Sequence, residues 1–251
     1  RDSESSVALD ALEDLYERVE AWERLVEVYR VKIGREEELA SRKAIAGLMA
    51  AIQAERLETL DDAIQTWREV LTWDEADAPA MRELDGLLMA NEDWFGLQDI
   101  LTRLQALVDE DEWAELQYRL AKLYESDDQL ADVRAAIGAH RLLLDRHPDH
   151  EDAIASLEVL VEERDERDEA FAVLRPVLTA AGEWERLWVQ YEVLASHHAD
   201  DPGRLMAILH DMAALADGEL ADPERAYGAL DRAFRQDARH QDTVSKIEAL
   251  A

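Results

Sequence analysis

One phrase occurs twice in this chain, and a repeat at long range constrains the fold more than any other feature of the sequence. WERLVEVY ends at Tyr29, and WERLWVQY ends at Tyr191. A weaker copy begins at Trp94 and again places Leu three residues after the Trp. Similarity that recurs along a chain is the signature of repeated supersecondary units that stack on one another. The sequence therefore predicts an array of repeats.

Two further sequence patterns recur at nearly the same spacing as the repeated Trp residues. An Ala followed by Ile or Tyr lies 41 or 42 residues after each of the three Trp residues. A nine-residue apolar pattern begins at Ala8, Ala80, Ala153 and Thr243. Because the chain starts and stops inside this pattern, we expect a single array that is a fragment of a longer repeat protein. The predicted units are about 8–77, 78–150, 151–240 and a partial fourth at 241–251.

The apolar spacing inside each unit is helical. Trp113, Leu116, Leu120 and Tyr124 recur on one face of a helix. Only nine Gly and five Pro interrupt a chain rich in Ala, Leu, Glu and Arg, which are strong helix formers. We predict an all-α fold with four helices per unit, joined by short turns that make neighbours antiparallel. In the first unit the expected helices are 8–18, 21–33, 36–57 and 60–73.

The third unit contains one additional helix. The step from the opening Ala of a unit to its Trp is 14 residues in the first two units but 31 from Ala153 to Trp184. The segment 167–181 has helical spacing, so we predict about 14 helices in all. One added helix upsets the alternation of inner and outer helices. Either the later helices exchange faces, or one helix is displaced, with a change of curvature between about 150 and 182 and a kink or helix start near Pro176.

These spacings resemble the tetratricopeptide (TPR) repeat, which places a large residue, Leu and Tyr on one helix and Ala, an aromatic residue and Pro on the next. The resemblance implies a right-handed α-solenoid of antiparallel helical hairpins. Its groove would be lined by the first helix of each hairpin. In the first hairpin Leu25 stands where the family prefers Ala, and in the other hairpin type the segment between Tyr124 and Ala136 is about three residues too long. The matching residues are Leu9, Leu12, Tyr16, Trp22, Leu25, Tyr29 and Ile33, and in the other hairpin type Ala121, Tyr124, Ala136, His140, Leu144 and Pro148.

The same resemblance implies a non-catalytic protein–protein interaction scaffold that holds a peptide or helix of a partner protein. Two alternatives stay open: a structural spacer segment of a longer array, and an acidic mimic of nucleic acid. Unfinished repeats at the ends would also allow end-to-end self-association. The residues predicted to contact the partner are Asp10, Asp14, Arg82, Tyr118, Lys122 and Glu125.

The net charge of −32, from 59 acidic and 27 basic residues, restricts the partner. Such a chain repels nucleic acid and favours a basic protein or peptide. Some of the acidic residues have a structural role as helix caps. Asp201 and Asp222 directly precede Pro202 and Pro223 at expected helix starts. The basic residues are four Lys and 23 Arg, most of which we expect to pair with Glu or Asp four residues away on the same helix.

No enzyme motif, cofactor loop or membrane-spanning run occurs in the sequence. The absence of Cys excludes thiol catalysis and Cys-ligated metal. His147 and His150 flank Pro148, where one hairpin should turn into the next, so we interpret them as turn residues rather than metal ligands. We therefore predict neither an enzyme nor a metal or cofactor protein. The compartment stays open, with the cytoplasm as the default.

Overall fold

The computed structural model describes residues 2–250, with side chains from Val7 onward. Over this range the chain forms fourteen α-helices and no strand, which confirms the predicted all-α fold and the number of helices. Helix α1 begins earlier than expected, and the others of the first unit lie within three residues of their predicted bounds. The helices are α1 Asp2–Arg18, α2 Trp22–Arg35, α3 Leu39–Glu55, α4 Leu60–Trp73, α5 Ala78–Ala90, α6 Trp94–Leu104, α7 Glu110–Glu125, α8 Val133–Arg146, α9 Glu151–Glu163, α10 Arg167–Ala181, α11 Trp184–His197, α12 Pro202–Gly218, α13 Pro223–Gln236 and α14 Gln241–Leu250.

The helices begin where the sequence provides caps. The side chains of Asp201 and Asp222 accept hydrogen bonds from the backbone N–H groups three residues later, as predicted, and Asp77, Asp93 and Asp132 do the same elsewhere. The repeated Trp residues, Trp22, Trp94 and Trp184, are each the first residue of a helix. Short polar caps and first-turn Trp residues therefore set most helix starts locally.

The turns before these helices also repeat. Glu20, Glu92 and Gly182 each lie two residues before one of the repeated Trp residues, and all three have a left-handed backbone. Glu58, Ala131 and Ala221 have positive φ at a second repeated position, five residues before the Ala landmark of each unit. Only Gly182 is a residue that adopts this conformation without steric cost.

The chain divides into two compact units. Unit 1 contains Arg1–Leu116 and Asp128–Leu130, and unit 2 contains Gln117–Asp127 and Ala131–Ala251. Helix α7 contributes its first half to unit 1 and its second half to unit 2.

In unit 1, each helix from α1 to α5 packs against the next one along the chain. Lys32, near the end of α2, bonds to Asp10 and Glu13 in α1, so these two helices run antiparallel. Lys43, near the start of α3, reaches Asp77 beyond the end of α4 at 2.8 Å, which shows the same arrangement for that hairpin. This packing confirms the predicted antiparallel hairpins.

In unit 2, the added helix α10 is a full member of the array. It packs against α8, α9 and α11, while α11 also packs against α9. Ion pairs show that this packing of every second helix continues to α13. Arg175 of α10 faces Asp211 of α12 at 3.9 Å, and Arg225 of α13 bonds to Glu185 of α11 at 2.8 Å. The even-numbered helices of unit 2 thus form one layer and the odd-numbered helices the other.

This alternation decides between the two outcomes expected for the insertion. Helix α11, whose sequence matches α2 and α6, lies in the odd layer of unit 2 beside α9. Within unit 2, Ala136 of α8 and Ala226 of α13 are the same repeat landmark, yet α8 lies in the even-numbered layer and α13 in the odd-numbered one. The helices after the insertion have therefore exchanged layers. Pro176 lies inside the continuous helix α10, so of the two outcomes expected near it, a kink or a helix start, the helix start is excluded. Its missing N–H leaves only the Ala172 carbonyl, on an exposed position, without an intrahelical donor.

Candidate partner-binding site

Three of the predicted contact residues come together in unit 2. Tyr118, Lys122 and Glu125 lie on the second half of α7, and the Lys122 ammonium donates a hydrogen bond to the Glu125 carboxylate. The Lys122 ammonium also lies 3.5 Å from the Ser156 hydroxyl of α9. The Tyr118 ring packs against the His150 ring with a centroid distance of 5.2 Å. The three side chains are thus held by α7 and α9 rather than free in solvent.

His140 is the fourth residue of this cluster. Its side chain is fully buried on α8, and its Nε2 is hydrogen-bonded to the Glu125 carboxylate. Its Nδ1 has no hydrogen-bond partner in the described part of the chain. Burial raises the pKa of Glu125, but the hydrogen bonds from His140 and Lys122 outweigh this effect and hold the pKa below its usual value. The sequence placed His140 only among the residues that match the TPR spacing, and no spacing pairs it with Glu125.

The other three predicted residues lie in unit 1 and do not form a cluster of this kind. Asp10 bonds to Lys32 at 2.6 Å across the first hairpin. Arg82 forms a forked pair with the Glu112 carboxylate, at 2.9 and 3.0 Å. Asp14 is exposed and has no partner among the described side chains. Two of the three are therefore engaged in joining helices.

Most of the Arg residues that have a described ion pair bond to a carboxylate outside their own helix, so the prediction of pairing within a helix is wrong. Arg186 of α11 donates to Glu158 of α9 at 2.9 and 3.1 Å, and Arg232 of α13 bonds to Glu192 of α11 at 2.8 Å. Helices that neighbour each other in a layer place their side chains within reach of the long guanidinium group, which also binds both oxygens of a carboxylate. Further bridges join Arg68 to Asp93, Arg164 to Asp127 and Arg204 to Asp168.

A cleft of about 590 Å³ lies in unit 2 between α10 and α12, and α11 forms part of its lining. Trp184 and Pro176 line it together with aliphatic residues, and Arg175, Thr179, Tyr191 and Glu219 are the polar residues of the lining. Its volume falls within the range of about 300–1,000 Å³ that is usual for ligand clefts. The aliphatic lining residues are Ala180, Leu187, Ala214 and Leu215.

A second cleft, of about 630 Å³, lies in unit 1 between α4 and α6. Leu71 and Ile100 are buried residues of its lining, and Arg68 and Arg103 lie at its sides. Both Arg residues are engaged, Arg68 by Asp93 and Arg103 by Asp99 and the Glu75 carbonyl. No sequence pattern pointed to either cleft, because each is lined by residues of different helices that meet only when the helices pack.

The residues weighed as metal ligands have structural roles. His150 caps α9, where its Nδ1 accepts a hydrogen bond from the Ala153 N–H at 3.2 Å, and His147 is the residue that ends α8. Both are turn residues, as predicted. No group of three or more acidic or His side chains that could hold a metal occurs within residues 7–250. None of the described helices is long and apolar enough to cross a membrane.

The chain was compared with known sequences and solved structures. No family model and no curated protein matches it. A tetratricopeptide repeat protein from Parabacteroides merdae is 16% identical, and the similarity covers 98% of this chain and 99% of that one with a TM-score of 0.42. MamA is 18% identical over 68% of this chain and 95% of its own, with a TM-score of 0.41. YrrB, a TPR protein with an unusual peptide-binding site, is 15% identical over 80% and 89%, with a TM-score of 0.32.

These similar structures include TPR proteins, the family whose spacing the sequence resembles. The helical-repeat architecture of the chain rests on its own fourteen described helices and on their packing.

Proposed function

We propose that this chain is a non-catalytic scaffold that binds a basic segment of a partner protein. The observation that carries the proposal is the distribution of charge in unit 2. Its Arg residues are largely engaged in joining neighbouring helices, as Arg186 and Arg232 are. The basic side chains therefore contribute to the packing of the array, and the acidic excess is left on the surface.

Several carboxylates in unit 2 have no partner among the described residues. Because these side chains are exposed and unpaired, they produce a negative potential that attracts a cationic ligand and speeds its association. An isolated acidic surface would also bind small cations, so the partner must add contacts that a simple ion lacks. The exposed carboxylates without a partner include Asp152, Glu162, Glu183, Asp217 and Glu219.

Of the contact residues predicted from the TPR resemblance, the proposal keeps Asp14 and Tyr118. Asp14 is exposed in unit 1, and Tyr118 is half-buried at the α7 surface of unit 2. Both can meet a partner without breaking an ion pair. A partner that used Lys122 or Glu125 would instead have to compete with the bonds to each other and to His140.

The experiment is the binding of fluorescein-labelled octa-arginine, followed by fluorescence anisotropy, with octa-glutamate as the control peptide. We expect octa-arginine to bind and octa-glutamate not to bind. The affinity for octa-arginine should fall at least tenfold between about 50 and 500 mM salt, because the attraction of exposed charges is screened. Absence of octa-arginine binding at low salt, or binding that salt does not weaken, would overturn the proposal. The first outcome would favour the structural spacer.

A further inference from the structure

Two Trp residues at the same repeat position have different surroundings. Trp22 is the first residue of α2, and Trp184 is the first residue of α11. The guanidinium of Arg56 lies over the Trp22 ring, 5.2 Å from its centroid. Trp184 lines the unit 2 cleft, and no guanidinium or ammonium group of the described residues lies over its ring.

The difference arises from one residue. Arg56 is the C-cap of α3, the helix that follows α2, and it comes 34 residues after Trp22. The C-cap of α12, the helix that follows α11, is Glu219, which comes 35 residues after Trp184. In unit 2 a carboxylate therefore occupies the position from which unit 1 supplies a cation. Glu219 and Trp184 line the same cleft.

We propose that this cleft binds an arginine side chain of the basic partner segment, with the guanidinium between the Trp184 indole and the Glu219 carboxylate. The proposal rests on the proposed function and names the anchor of that partner. A guanidinium stacks on an aromatic face and also bonds a carboxylate through two N–H groups. Its aliphatic stem suits the apolar part of the lining, which Pro176, Leu187 and Leu215 provide.

The chain's own Arg175 does not fill this position. Its guanidinium faces Asp211 at 3.9 Å, and its positive charge near the buried Tyr191 hydroxyl opposes the rise in the pKa of Tyr191 that burial causes. Arg175 is thus held on one wall of the cleft. Glu219, in contrast, is exposed and has no partner among residues 7–250.

The helix ends around the cleft also favour a cation. Thr179 and Ala180 are in the last turn of α10, and Leu215 is in the last turn of α12. The C-terminal end of a helix carries a partial negative charge from its free carbonyl groups. Two such ends beside an unpaired carboxylate produce an environment that attracts a guanidinium and disfavours an acidic ligand.

The test is an NMR titration of the ¹⁵N-labelled chain with the peptide acetyl-Gly-Arg-Gly-amide. The control peptide contains citrulline, which has nearly the same shape as arginine but no charge. The Trp184 indole signal is assigned with Trp184→Phe, and the six other Trp indoles are internal controls. We expect the Trp184 signal to shift most with the Arg peptide and to shift little with the citrulline peptide.

Three variants measure the contribution of Glu219. Glu219→Gln should weaken binding of the Arg peptide about tenfold, because a charge-assisted hydrogen bond is lost. Glu162→Gln makes the same charge change at an exposed residue of α9 outside the cleft lining and should weaken it less than about twofold. Glu219→Arg restores the cation found over Trp22 and should abolish binding at the cleft.

The possible outcomes distinguish failure of the arginine site from failure of the proposed scaffold function. Equal losses in Glu219→Gln and Glu162→Gln, or an unmoved Trp184 signal, would overturn the arginine site. If octa-arginine still bound in a salt-sensitive way under those conditions, the proposed function would stand without this anchor. If octa-arginine did not bind at all, both proposals would fall.

Discussion

The buried imidazole of His140 on α8 is hydrogen-bonded through Nε2 to the Glu125 carboxylate on α7, and Lys122 bonds to that same carboxylate. This pair joins the two helices of one hairpin by a polar contact inside an apolar interface. A buried polar group that loses its partner costs more than the hydrogen bond contributes, because it cannot return to water. The pair therefore makes the hairpin sensitive to substitution at Glu125.

We expect Glu125→Ala to lower the free energy of unfolding by about 1–3 kcal/mol, because His140 Nε2 would be left buried without a partner. The control is Glu162→Ala, which removes an exposed carboxylate without a described partner and should change stability by less than about 0.5 kcal/mol. Urea denaturation followed by circular dichroism measures both. Equal effects of the two substitutions would show that the His140 contact does not stabilise the hairpin.

Two Gly residues of unit 1 should respond oppositely to Ala. A Cβ on Gly96 would lie 2.6 Å from Asp93 Oδ2 and 2.9 Å from Leu88 Cδ2, whereas a Cβ on Gly86 would meet nothing within 4 Å. We expect Gly96→Ala to destabilise by about 1–3 kcal/mol through overpacking and loss of the Asp93 cap. Gly86→Ala should stabilise by about 1 kcal/mol through helix propensity. Thermal unfolding of both variants checks the prediction, which a gain from Gly96→Ala would contradict.

The left-handed turn at Ala221 is a site where Gly should stabilise. Its φ is 49°, a conformation that an L-residue adopts at a cost and that Gly adopts freely. We expect Ala221→Gly to raise the free energy of unfolding by about 0.5–1 kcal/mol, after the greater flexibility of Gly in the unfolded chain is subtracted. Ala155→Gly, at an exposed position inside α9, should lower it by about 1 kcal/mol. Chemical denaturation should separate the two variants, and a loss in both would contradict the turn argument.

A directional hydrogen-bond chain joins α14 to α12. The Lys246 ammonium donates to His210 Nδ1 at 2.8 Å, so the proton of a neutral His210 is on Nε2 and is donated to the Thr243 hydroxyl at 2.9 Å. That hydroxyl then donates to His240 Nδ1 at 2.8 Å. The chain requires a neutral His210, because a protonated Nδ1 could not accept from Lys246 and would instead face Asp242 Oδ2 at 3.2 Å.

We expect acidification to weaken the contact between α12 and α14. Burial is the largest cause of a lowered pKa of His210; Lys246 and His240 lower it further, while Asp242 and Asp211 oppose them. Because the folded pKa is depressed, this contribution to stability is present above the ordinary pKa of about 6.5 and is lost as pH falls through that value toward the folded one.

Amide hydrogen exchange of α14, corrected for the intrinsic rate, measures this effect between about pH 7.5 and 5.5. Protection should fall on acidification, and the fall should be smaller in His210→Gln. His197→Gln, at an exposed position of α11, should behave as the unmodified chain does. Protection that is the same at both pH values would contradict the prediction.

The positions of the helices follow from the sequence alone. The Asp caps at 201 and 222, the repeated Trp at 22, 94 and 184 and the spacing of 167–181 are local signals, and they predicted helix starts and an added helix that the structure contains. Helix formation depends on residues within a few turns of each other, so a short stretch of sequence is sufficient to indicate it. Two expected starts differ from the structure: α1 begins at Asp2 rather than at about residue 8, and no helix begins at Pro176, because α10 continues through it.

The tertiary structure alone decided which layer each helix joins and which side chains meet. The two outcomes for the helices after 167 use the same local sequence, and the packing of α11 beside α9 decides between them. Arg186 pairs with Glu158, 28 residues away, rather than with a residue of its own helix. Similarly, Trp184 and Glu219 meet at one cleft only because α10, α11 and α12 stack. Packing brings together residues that are far apart in the chain, and no local pattern specifies which helix a long side chain will face.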